Sequence, residues 1–159
     1  MAEKKHNYTA VITWTGNEGK GTKDYKSYSR SHTISGEGKY DEILSSSDSS
    51  FRGDKTRYNP EELFLSSISS CHMLWYLHLC STHKITIVDY VDSAEGMMTE
   101  DDSGSGRFTE VVLNPVATIL EEHLVAKAKM LHEDANKMCF IANSLNFKVK
   151  HKAEVRLMS

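Results

Sequence analysis

NPEELFLSSISSCHMLWYLHLCS, Asn59 to Ser81, is the stretch on which the fold turns. Asn59 is a good helix N-cap, Pro60 takes the first helical position where its missing N–H does no harm, and Glu61 and Glu62 place negative charge against the positive end of the macrodipole. From Leu63 onward, Phe64, Leu65, Ile68, Met73, Leu74, Trp75, Tyr76, Leu77 and Leu79 cover nearly every helical direction. A surface helix with one wet face would not tolerate this, so the spacing predicts a long buried central helix. Cys71 lies on it, between Ser70 and His72, in a largely dry setting.

Working outward on the N-terminal side, Tyr8–Gly16 and Tyr25–Ser35 alternate apolar and polar residues rich in β-branched and aromatic types. Glu42–Ser45 reads as a short third strand, so the chain begins as a small antiparallel meander. Residues 46–58 are polar and aperiodic, a loop leading into the helix. On the C-terminal side, Lys84–Thr99 and Arg107–Leu120 form a long hairpin around the acidic, glycine-rich tip at residues 100–106. Pro115, which cannot donate to a ladder, marks an edge or a bulge. Glu121–Met138 carries an apolar stripe at Leu124, Val125, Ala128, Leu131, Ala135 and Met138, which predicts a second, amphipathic helix. Cys139 follows it, and Phe147–Leu157 closes the chain as a strand. The order predicts an α+β domain with antiparallel sheets.

The 159 residues suit a single domain, 1–159. A net charge of −3, with scattered lysines, provides no basic field for nucleic acid. No run is apolar for long enough to span a membrane, and the first residues lack the apolar core of a signal peptide. These features predict a cytoplasmic protein with neither nucleic-acid nor membrane partners. Three cysteines, an odd number, argue for reduced thiols over a disulfide framework. Cys71 and Cys80 stand nine residues apart, on opposite helical faces and about 13 Å along the axis, and so cannot pair. Cys80 reads as a packing residue. Cys71 and Cys139 sit on different helical elements, where tertiary structure can bring them together.

Asn59-Pro60-Glu61-Glu62-Leu63 followed by Ser70-Cys71, with a second cysteine just after an amphipathic helix and then Asn143-Ser144, resembles the OsmC/Ohr family of thiol-dependent peroxidases. The resemblance extends over almost the whole chain. It implies an OsmC-like fold, an intertwined homodimer with its site at the subunit interface, and a two-cysteine cycle without metal or haem. By that resemblance Cys71 is the peroxidatic residue, attacking an organic hydroperoxide or hydrogen peroxide. Cys139 is then the resolving residue, and a dithiol of the dihydrolipoyl type the reductant. An unperturbed thiol of pKa about 8.5 is only about 3% thiolate at pH 7, so the chemistry needs a nearby cation. The resemblance assigns an arginine held by Glu61. Arg30 is the choice from the N-terminal meander, with Arg52 and Arg57 as competitors. Glu61 and Cys71 are about 15 Å apart on a straight helix, so the arginine must bridge them or the serine-rich segment must bend. His72 and Phe140 stand where relatives commonly carry phenylalanine and proline. Met73, Trp75 and Tyr76 are candidates to line an apolar pocket for the hydroperoxide.

Two other classes fit parts of the sequence. A metal site from His78, Cys80 and His83, with or without Cys71, suffers from poor helical spacing, since residues 78 and 80 project about 200° apart. A small-molecule-binding module on the same fold, without turnover, needs only the pocket.

Overall fold

A computed structural model describes residues 2–159, with the chain in two compact units that divide between Leu63 and Phe64. The first unit is an antiparallel sheet of three short strands, β1 (Val11–Trp14), β2 (His32–Ser35) and β3 (Ile43–Ser45), in that order. Trp14 pairs with His32, and Ile34 with both Ile12 and Ile43. The Trp14 indole N–H donates to Ser29 O at 2.9 Å. Gly16 is required beside that bond, because a Cβ there would lie 1.8 Å from Ser29 O. Among the described residues of this unit no apolar side chain is fully buried: Val11, Ile12, Trp14, Ile43 and Leu44 are 42–63% exposed.

The central helix α1 spans Pro60–Thr82. Its start is a reciprocal capping box: Glu62 N–H donates to Asn59 Oδ1 at 2.8 Å, and Asn59 N–H donates to Glu62 Oε2 at 3.0 Å. Asn59→Ala should therefore destabilise the protein by about 1 kcal/mol, read as a lower denaturation midpoint at unchanged m-value. At the other end Lys84 adopts φ 58°, and Ile85 N–H reaches back to Cys80 O at 2.9 Å, closing the helix with a left-handed residue that is not glycine. Ser67 Oγ–H donates to Phe64 O, and the helix runs on unbroken. Of the residues around α1, the chain fully buries a single line with every fourth residue: Ile68, His72, Tyr76 and Cys80. Leu74, on another face, is 62% exposed.

In the second unit the predicted long hairpin is broken into two sheets. Its arms are β4 (Ile87–Asp92) and β5 (Glu95–Glu100), then β6 (Gly106–Leu113) and β7 (Pro115–Ile119). β5 pairs with β6 and β4 with β7, both antiparallel. The break has a polar anchor, since Asp92 accepts from Asn114 N–H at 2.7 Å and from the Ser69 hydroxyl of α1. Pro115 opens β7, where its missing donor falls at the corner. The second helix, α2, covers Val125–Met138 after a short 3₁₀ turn at Glu122–Leu124. The closing strand is also split, into β8 (Lys150–His151) and β9 (Glu154–Leu157). These pair parallel, β8 with β6 and β9 with β7, where the sequence predicted antiparallel sheets alone. The reason is chain direction: after α2 the chain re-enters running the same way as β6 and β7.

Two apolar clusters hold this unit. Tyr76 and Cys80 of α1 pack with Ile119 of β7 and with Ala128, Leu131 and Ala135 of α2. Ile68 packs with Val111, Leu113 and Val149. Each large side chain buried in this way contributes about 1.5–3 kcal/mol relative to its exposed state.

Candidate active site

Cys71 is half-buried in the middle of α1, and Cys139, the first residue after α2, is 1% exposed; both are free thiols. Tertiary packing brings them together, close enough for the Cys71 side chain to act on the Cys139 thiol. Cys139 is held from its other side by the turn that follows. Its carbonyl accepts from Asn143 N–H at 3.0 Å, and its Sγ from Ala142 N–H at 3.4 Å. Burial pushes the Cys139 thiol up to about 11, with Cys71 adding to the rise and the backbone N–H groups of Ala142 and Ile141 opposing it. Cys139 is thus kept protonated at neutral pH, fit to follow another thiol's chemistry and not to initiate it.

Cys71 opens onto a depression of about 400 Å³ formed by Leu74, Trp75, Phe140 and Ile141, with Ser67 and Ser70 at its edge and no charged side chain in its wall. Trp75 and Phe140 meet edge to face, ring centroids 5.5 Å apart. Of the three pocket residues predicted from sequence, Trp75 lies here. Met73 lines a separate depression with Tyr90 and Asp92, and Tyr76 is fully buried, stacked on His132. Leu74 stands three residues after Cys71 on the same helix, whereas Phe140 and Ile141 come from a segment that meets α1 only in the fold. A larger groove of about 670 Å³, around Asn136, Lys137, Asn143 and Lys148, has a mixed polar and apolar lining and holds no thiol.

Arg30 belongs to the first unit. Its guanidinium donates to Tyr28 O at 2.6 Å and Tyr25 O at 2.7 Å, and stacks on both rings, 4.1 Å from the Tyr28 centroid and 4.4 Å from that of Tyr25. Such bonds leave the planar cation rigid. Arg57 pairs with Asp54 at 3.7 Å, and Arg52 takes a left-handed conformation at the end of the short 3₁₀ turn at Ser49–Phe51. Glu61 is half-buried in the first turn of α1, ten residues before Cys71 on the same unbroken helix. Cys80 faces the core, where burial pushes its thiol up to about 11. His78 is exposed beside Trp75, and His83 Nδ1 lies 2.9 Å from Leu79 O. Among the described residues no three His, Cys, Asp or Glu side chains converge on a point that could hold a metal ion. No described helix is long and apolar enough to cross a membrane.

Comparison with solved structures finds the same architecture. An OsmC-like protein of unknown function from Vibrio cholerae superposes with a TM-score of 0.84 at 28% identity, over 94% of this chain and 99% of that one. An organic hydroperoxide resistance protein from Elizabethkingia anophelis matches with a TM-score of 0.66 at 20% identity, covering 98% and 100% of the two chains. An organic hydroperoxide resistance protein of Bacillus subtilis gives 0.62 at 21%, covering 94% and 98%. Comparison with curated proteins returns no match. The OsmC-like protein family model matches residues 53–154, a span that includes both cysteines and the helix carrying Cys71. With two helices, small sheets and a thiol pair in that frame, the chain belongs to the OsmC-like family.

Proposed function

We propose that the protein is a thiol-dependent peroxidase, with the whole chain acting as one domain. The observation that carries this reading is Cys71 opening onto an uncharged, apolar depression with the buried Cys139 thiol as its neighbour. The Cys71 thiolate attacks the distal oxygen of an organic hydroperoxide or of hydrogen peroxide. The O–O bond breaks, the leaving oxygen departs as alcohol or water, and Cys71 becomes a sulfenic acid. The Cys139 sulfur displaces water from it, forming a disulfide. A dithiol of the dihydrolipoyl type then supplies two electrons and two protons and becomes a disulfide itself. Trp75, Leu74 and Phe140 hold the apolar part of an alkyl or aryl hydroperoxide.

The cation proposed to favour thiolate is Arg30, with Glu61 as its expected carboxylate partner. Arg30→Ala should slow the first oxidation about 10- to 30-fold, the range between a mostly ionised and an unperturbed thiol. Stopped-flow decay of Trp75 fluorescence can follow that step. Arg52→Ala and Arg57→Ala should change it by less than about threefold. A larger effect from either would transfer the role to that residue.

The working form is proposed to be a homodimer. A sheet of three strands with no fully buried apolar side chain lacks a core of its own, and a second copy supplies the missing surface. Light scattering should give twice the 18.0 kDa of the chain. The reading as a whole is tested by intact mass, thiol count and peptide mapping of the reduced protein, before and after one equivalent of cumene hydroperoxide. The expected result is loss of two hydrogens and a Cys71–Cys139 bridge. Three thiols still free would make the protein a small-molecule-binding module on the same fold.

A further inference from the structure

Behind the cysteines, three histidine rings are packed into the second unit. His72 follows Cys71 on α1 and is 1% exposed; His132, on α2, is 0% exposed. His72 Nε2 and His132 Nδ1 lie 3.0 Å apart, with the rings within 9° of parallel. Tyr76 stacks on His132 at 3.7 Å. His151 of β8 packs 5.7 Å from His72 and 6.3 Å from His132, and its Nε2 reaches Glu133 at 3.2 Å. For the 3.0 Å bond to form, one imidazole must donate and the other accept. His72 Nδ1 and His132 Nε2 are buried without partners, a cost that an apolar pair of similar size would not carry.

The placement of this bond explains what the cost obtains. His132 and Cys139 lie seven residues apart, two turns and about 10.5 Å along α2. Their partners on α1, His72 and Cys71, are consecutive. At this end of α2 the contacts with α1 are the His72–His132 bond and the Cys71–Cys139 pair, beside the packing of Tyr76 and Cys80 against Ala128, Leu131 and Ala135. Apolar contacts alone are non-directional and would let α2 pivot or slide. A hydrogen bond between two rings tolerates little of either motion. A disulfide is equally exacting, requiring Cβ atoms about 3.5–4.5 Å apart.

We propose that the His72–His132 hydrogen bond is a positioning clamp that sets the approach of Cys139 to Cys71, and thereby the stability of the disulfide between them. The inference rests on the proposed reading of these thiols as a redox pair. It does not require that peroxide be the natural oxidant. Neither histidine touches the reacting sulfurs in this role; both act through the contact between the helices.

The test is the equilibrium between the reduced protein and the Cys71–Cys139 disulfide in glutathione buffers, where oxidised glutathione takes two electrons and two protons and leaves as two thiols. His72 bonds through Nε2, a position that a glutamine amide can reach and an asparagine amide cannot. His132 bonds through Nδ1, which asparagine reproduces. His72→Gln and His132→Asn should keep the equilibrium constant within about threefold. His72→Asn should lower it at least tenfold, a shift of about 30 mV for a two-electron couple. His132→Leu should do the same. Because His72→Gln and His72→Asn both place an amide at the same site, their difference separates reach from general destabilisation. Equal constants for those two variants overturn the clamp, as does an unmodified protein that forms no bridge at any glutathione ratio. Normal bridging without consumption of cumene hydroperoxide overturns only the peroxidase reading and leaves the clamp standing.

Discussion

Cys71→Ser should abolish hydroperoxide consumption, by about three orders of magnitude or more, while Cys139→Ser should consume one equivalent and stop. The difference follows from the two environments. Attack on a peroxide oxygen requires an anionic, polarisable sulfur, and a serine hydroxyl at neutral pH provides neither property. Cys71 is the thiol that opens onto the apolar depression, whereas Cys139 is 1% exposed and raised by burial to about 11. Cys139 is therefore badly placed to meet a peroxide and well placed to meet a Cys71 sulfenic acid. In Cys139→Ser that acid should persist as a gain of one oxygen in the intact mass, trappable by dimedone. Full multiple turnover by Cys139→Ser would show that the resolving thiol lies elsewhere. First-order oxidation of Cys71→Ser at Cys139 would reverse the two assignments.

The sequence reveals those features in which local chemistry and fold agree. Asn59 and Glu62 form the N-terminal cap by hydrogen bonds within four residues, so the start of α1 can be read directly. Pro115 announces an irregularity, and the corner of the hairpin falls there. What the hairpin does at that corner depends on Asp92 meeting Asn114 and Ser69, groups 22 and 23 residues away from it in the chain, and no periodicity contains that information. The parallel pairing of β8 and β9 is likewise a matter of return path. His132 carried a visible signal: it lies on the same face as Ala128, Leu131 and Ala135, and burial follows the face, whatever the residue type. A stripe defined by apolar residues alone passes over a histidine within it. The partner ring, His72, stands out in the sequence only as a departure beside a cysteine. Neither ring predicts the other, because they are sixty residues apart.

The same two rings make stability depend on acid. Burial lowers His72 to about 4 and His132 to about 3, with the neighbouring histidines adding to the depression in each case. Both values lie below the ordinary 6.5, so between pH 6.5 and about 4 the unfolded chain holds protons on these side chains that the folded chain does not. Unfolding then takes up protons, and stability must fall as pH falls, by up to about 1.4 kcal/mol per pH unit for each ring. From about a pH unit above 6.5 both states are almost wholly unprotonated and the effect fades. The groups facing the pair are His151 and Glu133, with Tyr76, Cys80 and Tyr90 beyond; burial holds the two phenols and the Cys80 thiol neutral throughout this range. The carboxylates whose pKa is lowered, such as Glu110 and Asp54, are solvent-exposed and begin to lose stabilisation only near their ordinary values of 4.5 and 3.8. A window from pH 7.5 to 5.0 therefore isolates the histidines. Urea unfolding at a single protein concentration should show a loss of about 4 kcal/mol across that window, a large share of the stability of a domain of this size. His132→Leu should remove about half of the slope. An unfolding free energy that is flat from pH 7.5 to 5.0 would mean that His72 and His132 titrate as solvated residues, and that the bond between the rings is not held in the folded protein.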